Sequence, residues 1–211
     1  MTAKMQMSTR LGWLLSRAIR VVYNAALDLR YGRPLAGGIT TRFEHLGAKD
    51  TANSDYLALD RIFRGRIEAT DVLIDVGCGK GRVINWWLRQ GLRNAIIGLE
   101  LDPQVAEATQ ARLRRHSNVK IVVGNAIDTL PRDGTLFYMY NPFSAEVVQL
   151  FAAALTDLGR VRGGPVRVLY NNCKYLAPFQ HGDDWHVELL EEALTAPFDR
   201  VAAITHVGPR A

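Results

Sequence analysis

Cysteine is scarce in this chain, with two in 211 residues, Cys78 and Cys173. Two thiols cannot build a disulfide framework, and they lack the clustered spacing of a metal site, so a reduced, cytoplasmic setting is the simpler expectation. No apolar run is long enough to span a membrane. Arg17 and Arg20 interrupt the apolar core that a secretory signal would need. There is no internal repeat and no low-complexity tract. His45, His116, His181, His186 and His206 form no recognisable constellation. What is present is ordinary for a globular enzyme: 48% hydrophobic and 22% charged residues exclude a disordered chain. The length allows one good-sized core, with or without an appendage.

Acidic residues are short in one part of the chain. Residues 1–66 carry 11 basic and 5 acidic side chains, a balance of +6, whereas residues 67–211 carry 15 and 16, a balance of −1. The basic character therefore belongs to the N-terminal third, where it could attract nucleic acid, anionic lipid or an acidic protein, or form a plain solvated surface. Leu11, Leu15, Ala18, Val22, Ala25 and Leu29 recur at alternating steps of four and three, which predicts one apolar face of a helix, with Arg10, Arg17 and Asn24 on another face. That face would pack on the main domain or on a twin subunit. Alternatively, with Trp13 and the arginines, it would lie on a membrane surface. The stretch from Tyr31 to Gly38 breaks the helix with glycine and proline, and residues 39–55 read as irregular. Ser54 or Asp55 could cap a second helix from Tyr56 to Arg66.

The densest signal is Asp71-Val-Leu-Ile-Asp-Val-Gly-Cys-Gly-Lys-Gly-Arg82. A β-branched apolar run reads as a buried strand, glycines alternate at 77, 79 and 81, and Val83 to Leu88 continues as a helix in which Trp86 and Trp87 pack inward. Further strands are expected at 94–100, 119–123, 135–140 and 166–170, with helices from Pro103 to about Arg115 and over about Ala145–Leu158. Strand–helix alternation means a doubly wound, mostly parallel sheet with helices on both faces. The last candidates, 185–190 and 201–207, follow one another without a clear helix and suggest an antiparallel hairpin at one edge. In such sheets the ligand lies beyond the carboxyl ends of the strands. The glycine loop, Glu100, Asn125, Asn141 and Asn171 all fall there.

The residues discriminate between ligands. A dinucleotide loop requires a third glycine where Arg82 stands, and a nucleoside triphosphate loop would need Lys80 followed by Ser or Thr. Glu100, ending the second strand, could accept hydrogen bonds from both hydroxyls of a free ribose. An adenosine-containing ligand fits.

Val72-Leu-Ile-Asp-Val-Gly-Cys-Gly-Lys-Gly resembles motif I of the class I S-adenosylmethionine-dependent methyltransferases, and Ile97-Gly-Leu-Glu-Leu-Asp-Pro103 resembles their second motif. Val123-Gly-Asn-Ala126 is similar to the third, with Asn125 in place of the usual aspartate, and Tyr140-Asn-Pro-Phe143 to the fourth. The resemblance covers about residues 70–175. It implies a seven-stranded sheet with an antiparallel last strand, with an N-terminal helical extension over 1–55 and the methyltransferase domain over 56–211. It also implies S-adenosyl-L-methionine as cofactor, with no metal. Asp75, Gly77, Cys78, Gly79, Gly81, Glu100, Leu101, Asn125 and Ala126 would contact it, Glu100 at the ribose and Asn125 at the adenine amino group; Tyr56 would cover it from the N-terminal side. Cys78 is a small residue that fits the loop, not a nucleophile.

Asn141, Pro142 and Phe143 are similar to the [D/N]-P-P-[Y/F] motif of members that methylate amino groups, although the second proline is missing. By this resemblance they form the catalytic triplet, with a protein lysine or a small amine as acceptor. RNA, or an oxygen or nitrogen of another small molecule, is the alternative acceptor. A non-catalytic binding protein on this fold and a nicotinamide-dependent oxidoreductase are alternatives of other classes. Tyr170-Asn-Asn-Cys-Lys-Tyr175 could line the acceptor pocket, and His186 beside Asp183 and Asp184 could serve as a base.

Overall fold

The computed structural model describes residues 18–50, 53–181, 183–190 and 200–208. Leu11 and Leu15, the first two positions of the expected apolar face, together with Arg10, Trp13 and Arg17, lie outside them. Seven strands form one sheet: β1 Leu73–Val76, β2 Ile96–Glu100, β3 Val119–Val123, β4 Leu136–Tyr140, β5 Arg167–Asn171, β6 Trp185–Leu189 and β7 Val201–His206. Their order is β3-β2-β1-β4-β5-β7-β6. All neighbouring pairs are parallel except those involving β7, which runs antiparallel to both β5 and β6. The terminal hairpin is therefore at one edge as expected, with its second strand inserted inside its first.

The helices are α1 (described over 18–29), α2 Tyr56–Ile62, α3 Arg82–Arg89, α4 Pro103–Leu113, α5 Ala145–Arg162 and the short α6 Ala177–Gln180. Local chemistry sets several of their ends. The Asp55 side chain accepts from Leu57 N and caps α2, and Asp102 accepts from Gln104 N and Val105 N ahead of Pro103. Ser144 caps α5, which runs on to Gly163 in the left-handed conformation. Side chains alternate across the central strands. Leu73 and Tyr138 pack beneath Leu59, Phe63 and Trp87 on one face, while Ile74 and Phe137 pack with Phe151 and Leu155 on the other. Trp86 and Trp87 are both buried, and Trp86 stacks on Phe63 with ring centroids 5.0 Å apart.

The N-terminal helix departs from its apolar periodicity. Val22 and Leu29 face solvent, and Tyr23, Asn24, Leu27 and Asp28 form the docked side. The reason is electrostatic. Asp28 is fully buried and accepts from Arg82 Nε at 3.1 Å and Nη2 at 2.6 Å, from Tyr56 OH at 3.0 Å and from Leu35 N at 3.0 Å. A buried carboxylate needs this complete set of donors, so the helix turns its polar side inward. Among the described residues, no helix is long and apolar enough to cross a membrane.

Candidate active site

Strand order reverses between β1 and β4, and a crevice opens beyond their carboxyl ends. The backbone leaves β1 through Gly77, Gly79 and Gly81, with φ of 72°, 51° and 75°. Two of these positions demand glycine for a further reason. A Cβ on Gly77 would stand 3.1 Å from Pro142 Cβ, and one on Gly81 would meet Arg112 Nη2 and Thr109 Cγ2 at 3.0 Å. The turn is held by Gly77 N and Cys78 N, both donating to Leu99 O at 2.9 Å, and by Thr109 Oγ1 donating to Gly79 O at 2.8 Å. No side chain caps the start of α3.

Two carboxylates flank this turn. Glu100 Oε2 accepts from Gly79 N at 2.8 Å and Oε1 from Asp102 N at 2.9 Å, so each oxygen keeps acceptor capacity toward the crevice. Burial raises its pKa above the ordinary glutamate range, against the lowering effect of those backbone amides. Asp75 is buried, and its Oδ2 has no hydrogen-bond partner among the described residues. Burial, then the charge of Glu100, pushes its pKa well up. It lines a small recess with Ser54, Gly77 and Tyr138. Cys78 is buried too; burial, then Asp75 and Glu100, raise its pKa, so the thiol stays protonated and unreactive.

The main cleft, about 900 Å³ and open to solvent, is lined by Gly77, Glu100, Leu101, Asn125, Ala126, Pro142 and Phe143 on the sheet side. The Asn125 Oδ1 already accepts from Ile127 N at 2.9 Å, an Asx turn that fixes the amide. Its far wall comes from residues 39–50, which the sequence left irregular. This segment makes a 3-10 turn, Glu44–Leu46, and a β-bridge from Ala48 to Phe143. Lys49 N donates to Pro142 O at 2.9 Å, and Ser144 N to Gly47 O at 2.7 Å. Arg42 reaches across to Asp102 at 3.1 Å and Gln104 at 3.0 Å.

A second cleft, about 1050 Å³, opens beside the first and is lined by Thr40, Glu44, Asn141, Asn172, Lys174 and Tyr175. Thr41, Ala48, Lys49, Asp50 and Tyr140 border both. Asn141 and Asn172, at the ends of β4 and β5, both take positive φ, 41° and 52°, which a non-glycine residue adopts at a cost of about 1–3 kcal/mol. The Asn141 Oδ1 accepts from Tyr170 OH at 3.2 Å. Phe143 lines the main cleft and also packs on Phe151, 5.5 Å between centroids.

Residues 73–161 match a protein-family model described as a methyltransferase domain. From β1 into α5 the chain is therefore similar to methyltransferase domains. No curated protein matches the chain. Among solved structures, a methyltransferase from Pyrococcus furiosus is similar over 92% of this chain and 98% of its own, with a TM-score of 0.60 and 15% identity. An RNA methyltransferase from Salinibacter ruber, solved with S-adenosyl-L-homocysteine, is similar over 76% of this chain and 95% of its own, at TM-score 0.57 and 19% identity. An S-adenosylhomocysteine-bound methyltransferase from Podospora anserina gives 0.57 and 17% over 74% and 80%. At these identities the likeness is one of fold.

The residues at the crevice fit S-adenosylmethionine. The turn at Gly77 presents bare backbone, Glu100 presents two oxygens with spare acceptor capacity, and the orphaned Asp75 Oδ2 marks a recess built for a polar partner.

Five expected or overlooked side chains stand elsewhere. Tyr56 does not reach the crevice. It is fully buried and its hydroxyl belongs to Asp28; burial lifts its pKa far above the phenol range. Arg82, read only as a missing glycine, is the partner of Asp28, and Lys80 Nζ donates to Ala36 O at 3.2 Å and Gly37 O at 2.9 Å. Both tie the glycine turn to the N-terminal segment. His186 lies exposed on the edge strand β6, while Asp184 pairs with Arg160 at 3.0 Å, so no base forms there. Asn171 is buried, with its amide on Tyr138 OH at 3.0 Å.

Proposed function

We propose that this methyltransferase transfers the methyl group to a nitrogen, either a protein lysine or a small amine, held in the second cleft over Asn141. The observation that carries this reading is the position of Asn141. It stands at the end of β4 beside Tyr140, which borders both clefts; Asn141 itself lines the second, and Tyr170 OH fixes its amide oxygen. In this reading Gly77, Gly79 and Gly81 carry the cofactor's methionine end, Asp75 receives its polar group in the recess, and Glu100 accepts from the ribose hydroxyls. Leu101, Asn125 and Ala126 border the base.

When bound, S-adenosylmethionine supplies an electrophilic methyl on a positively charged sulfur. The chain's part is positioning. A lysine-type amine has an unperturbed pKa of about 10.4 and must lose a proton before it can attack. The amide oxygen of Asn141 accepts one remaining N–H and so turns the lone pair toward the main cleft. S-adenosylmethionine held in the main cleft would supply the methyl, its C–S bond breaking as the N–C bond forms and leaving the electron pair on sulfur, and the proton shed by the amine would go to solvent. An amide suits this role because it accepts without pairing to the cationic amine, which would hold the proton on.

The test is transfer of labelled methyl by the full chain into a cell lysate separated into protein, nucleic acid and small molecules. Base-stable label in protein or small amines, lost in Asn141→Ala, is expected. Label confined to nucleic acid, or label released by mild base as from an ester, overturns the nitrogen reading.

A further inference from the structure

The domain uses the polar side of α1 and leaves its apolar side in solvent. Ile19, Val21, Val22 and Leu29 are 60%, 54%, 69% and 58% exposed. These are not scattered singletons; they share one helix with the exposed Ala18 and Ala26. The helix cannot roll to bury them, because the opposite side carries Asp28 in its buried pair with Arg82 and Asn24 bound to Asp55 at 3.1 Å and to Tyr56 N at 3.1 Å.

The charge in the sequence leading into the stripe is of one sign. The sequence ahead of residue 28 holds Lys4, Arg10, Arg17 and Arg20 and no carboxylate, and the first acidic residue, Asp28, is neutralised by Arg82. Immediately after Leu29 the chain enters a cleft of about 810 Å³ lined by Arg30, Tyr31, Arg112, Arg115 and His116. No acidic side chain lines it. An apolar stripe that runs into a cationic cleft has the two features by which a helix lies in a bilayer interface: apolar side chains for the acyl boundary and cations for the phosphates. A second copy of the chain is disfavoured as the occupant, since stripe-to-stripe pairing would bring like-charged arginines together.

We infer that α1 and the adjoining Arg30–His116 cleft form a docking surface for an anionic phospholipid membrane. The inference does not depend on which acceptor the enzyme methylates. It is tested by sedimenting the full chain with vesicles of phosphatidylcholine alone and of phosphatidylcholine mixed with phosphatidylglycerol. The expected result is binding to the mixed vesicles only, weakened by salt and by about tenfold or more in Val22→Asp/Leu29→Asp and in Arg30→Glu/Arg115→Glu. Unchanged affinity for S-adenosylhomocysteine in both variants shows that they are folded. Failure to bind mixed vesicles, or binding that neither variant weakens, overturns the inference. So does self-association abolished by Val22→Asp/Leu29→Asp in the absence of lipid, which makes the stripe a contact between copies. Retention of RNA abolished by Arg30→Glu/Arg115→Glu, with mixed vesicles ignored, also overturns it and assigns the cleft to nucleic acid.

Discussion

Asp28 and Asp75 are both buried carboxylates beside the same glycine turn, and their surroundings are opposite. Asp28 receives donors from Arg82, Tyr56 and Leu35, which occupy both oxygens. Asp75 is left with an unpartnered Oδ2 and a second carboxylate, Glu100, close enough to raise its pKa further. A buried charge whose acceptor sites are filled from within the chain is a structural joint. One left unfilled is expensive without a ligand, and the sheet keeps it only where a ligand arrives. The two sites sit on either side of one loop, the first fixing its back and the second facing the crevice.

The contrast can be broken from the structural side first. Asp28→Ala leaves Arg82 buried without its counter-charge and is expected to cost about 3–5 kcal/mol in urea unfolding. The paired change Asp28→Leu/Arg82→Met should restore part of that loss, since an apolar pair removes both charges' desolvation penalties but leaves Tyr56 OH and Leu35 N without their acceptor. A double variant as unstable as the single one would show that the joint needs charge for some other reason. Gly77→Ala is next. Its positive φ and the 3.1 Å approach to Pro142 predict about 1–3 kcal/mol of strain, read as a lower unfolding midpoint together with weaker cofactor binding. Tyr56→Phe removes one hydrogen bond to Asp28 and should cost about 1 kcal/mol of stability while leaving cofactor affinity unchanged by calorimetry. A large loss of affinity would return Tyr56 to the binding site.

Acidification should move the two properties in opposite directions. Burial raises the pKa of both Glu100 and Asp75, so the folded state takes up their protons before the unfolded chain does, and these groups favour folding more as pH falls. In the proposed binding mode Glu100 must be ionised to accept from the ribose, so affinity should be lost in the same window, beginning above the ordinary glutamate value of about 4.3. Titration of affinity against pH in wild type and in Glu100→Gln, where the dependence flattens, checks the assignment.

The strands were legible because a parallel strand buried on both faces is a short apolar run, and Leu73–Val76 and Leu136–Tyr140 carry that mark in any context. The crevice was legible because polar residues at successive strand ends converge in this topology. The orientation of α1 was not. Apolar periodicity ranks Val22 and Leu29 as the packing side, and only a partner 54 positions away, Arg82, turns Asp28 inward. Tyr56 went wrong for the same reason, since its hydroxyl answers to Asp28. The wall from residues 39 to 50 has no regular period, because it is held by single backbone bonds to Pro142 and Ser144. Arg82 did hold a usable signal: a charged residue directly after a glycine turn, followed by an apolar helix, has to find a counter-charge.

Calorimetric titration of S-adenosylhomocysteine into the full chain and into Glu100→Ala tests most directly the proposed seat of the cofactor at Glu100 and the glycine turn. Micromolar binding by the wild type is predicted, weakened in the variant by about 2–3 kcal/mol, on the order of a hundredfold in Kd. Equal affinity in both proteins, or no binding by the wild type, would contradict it.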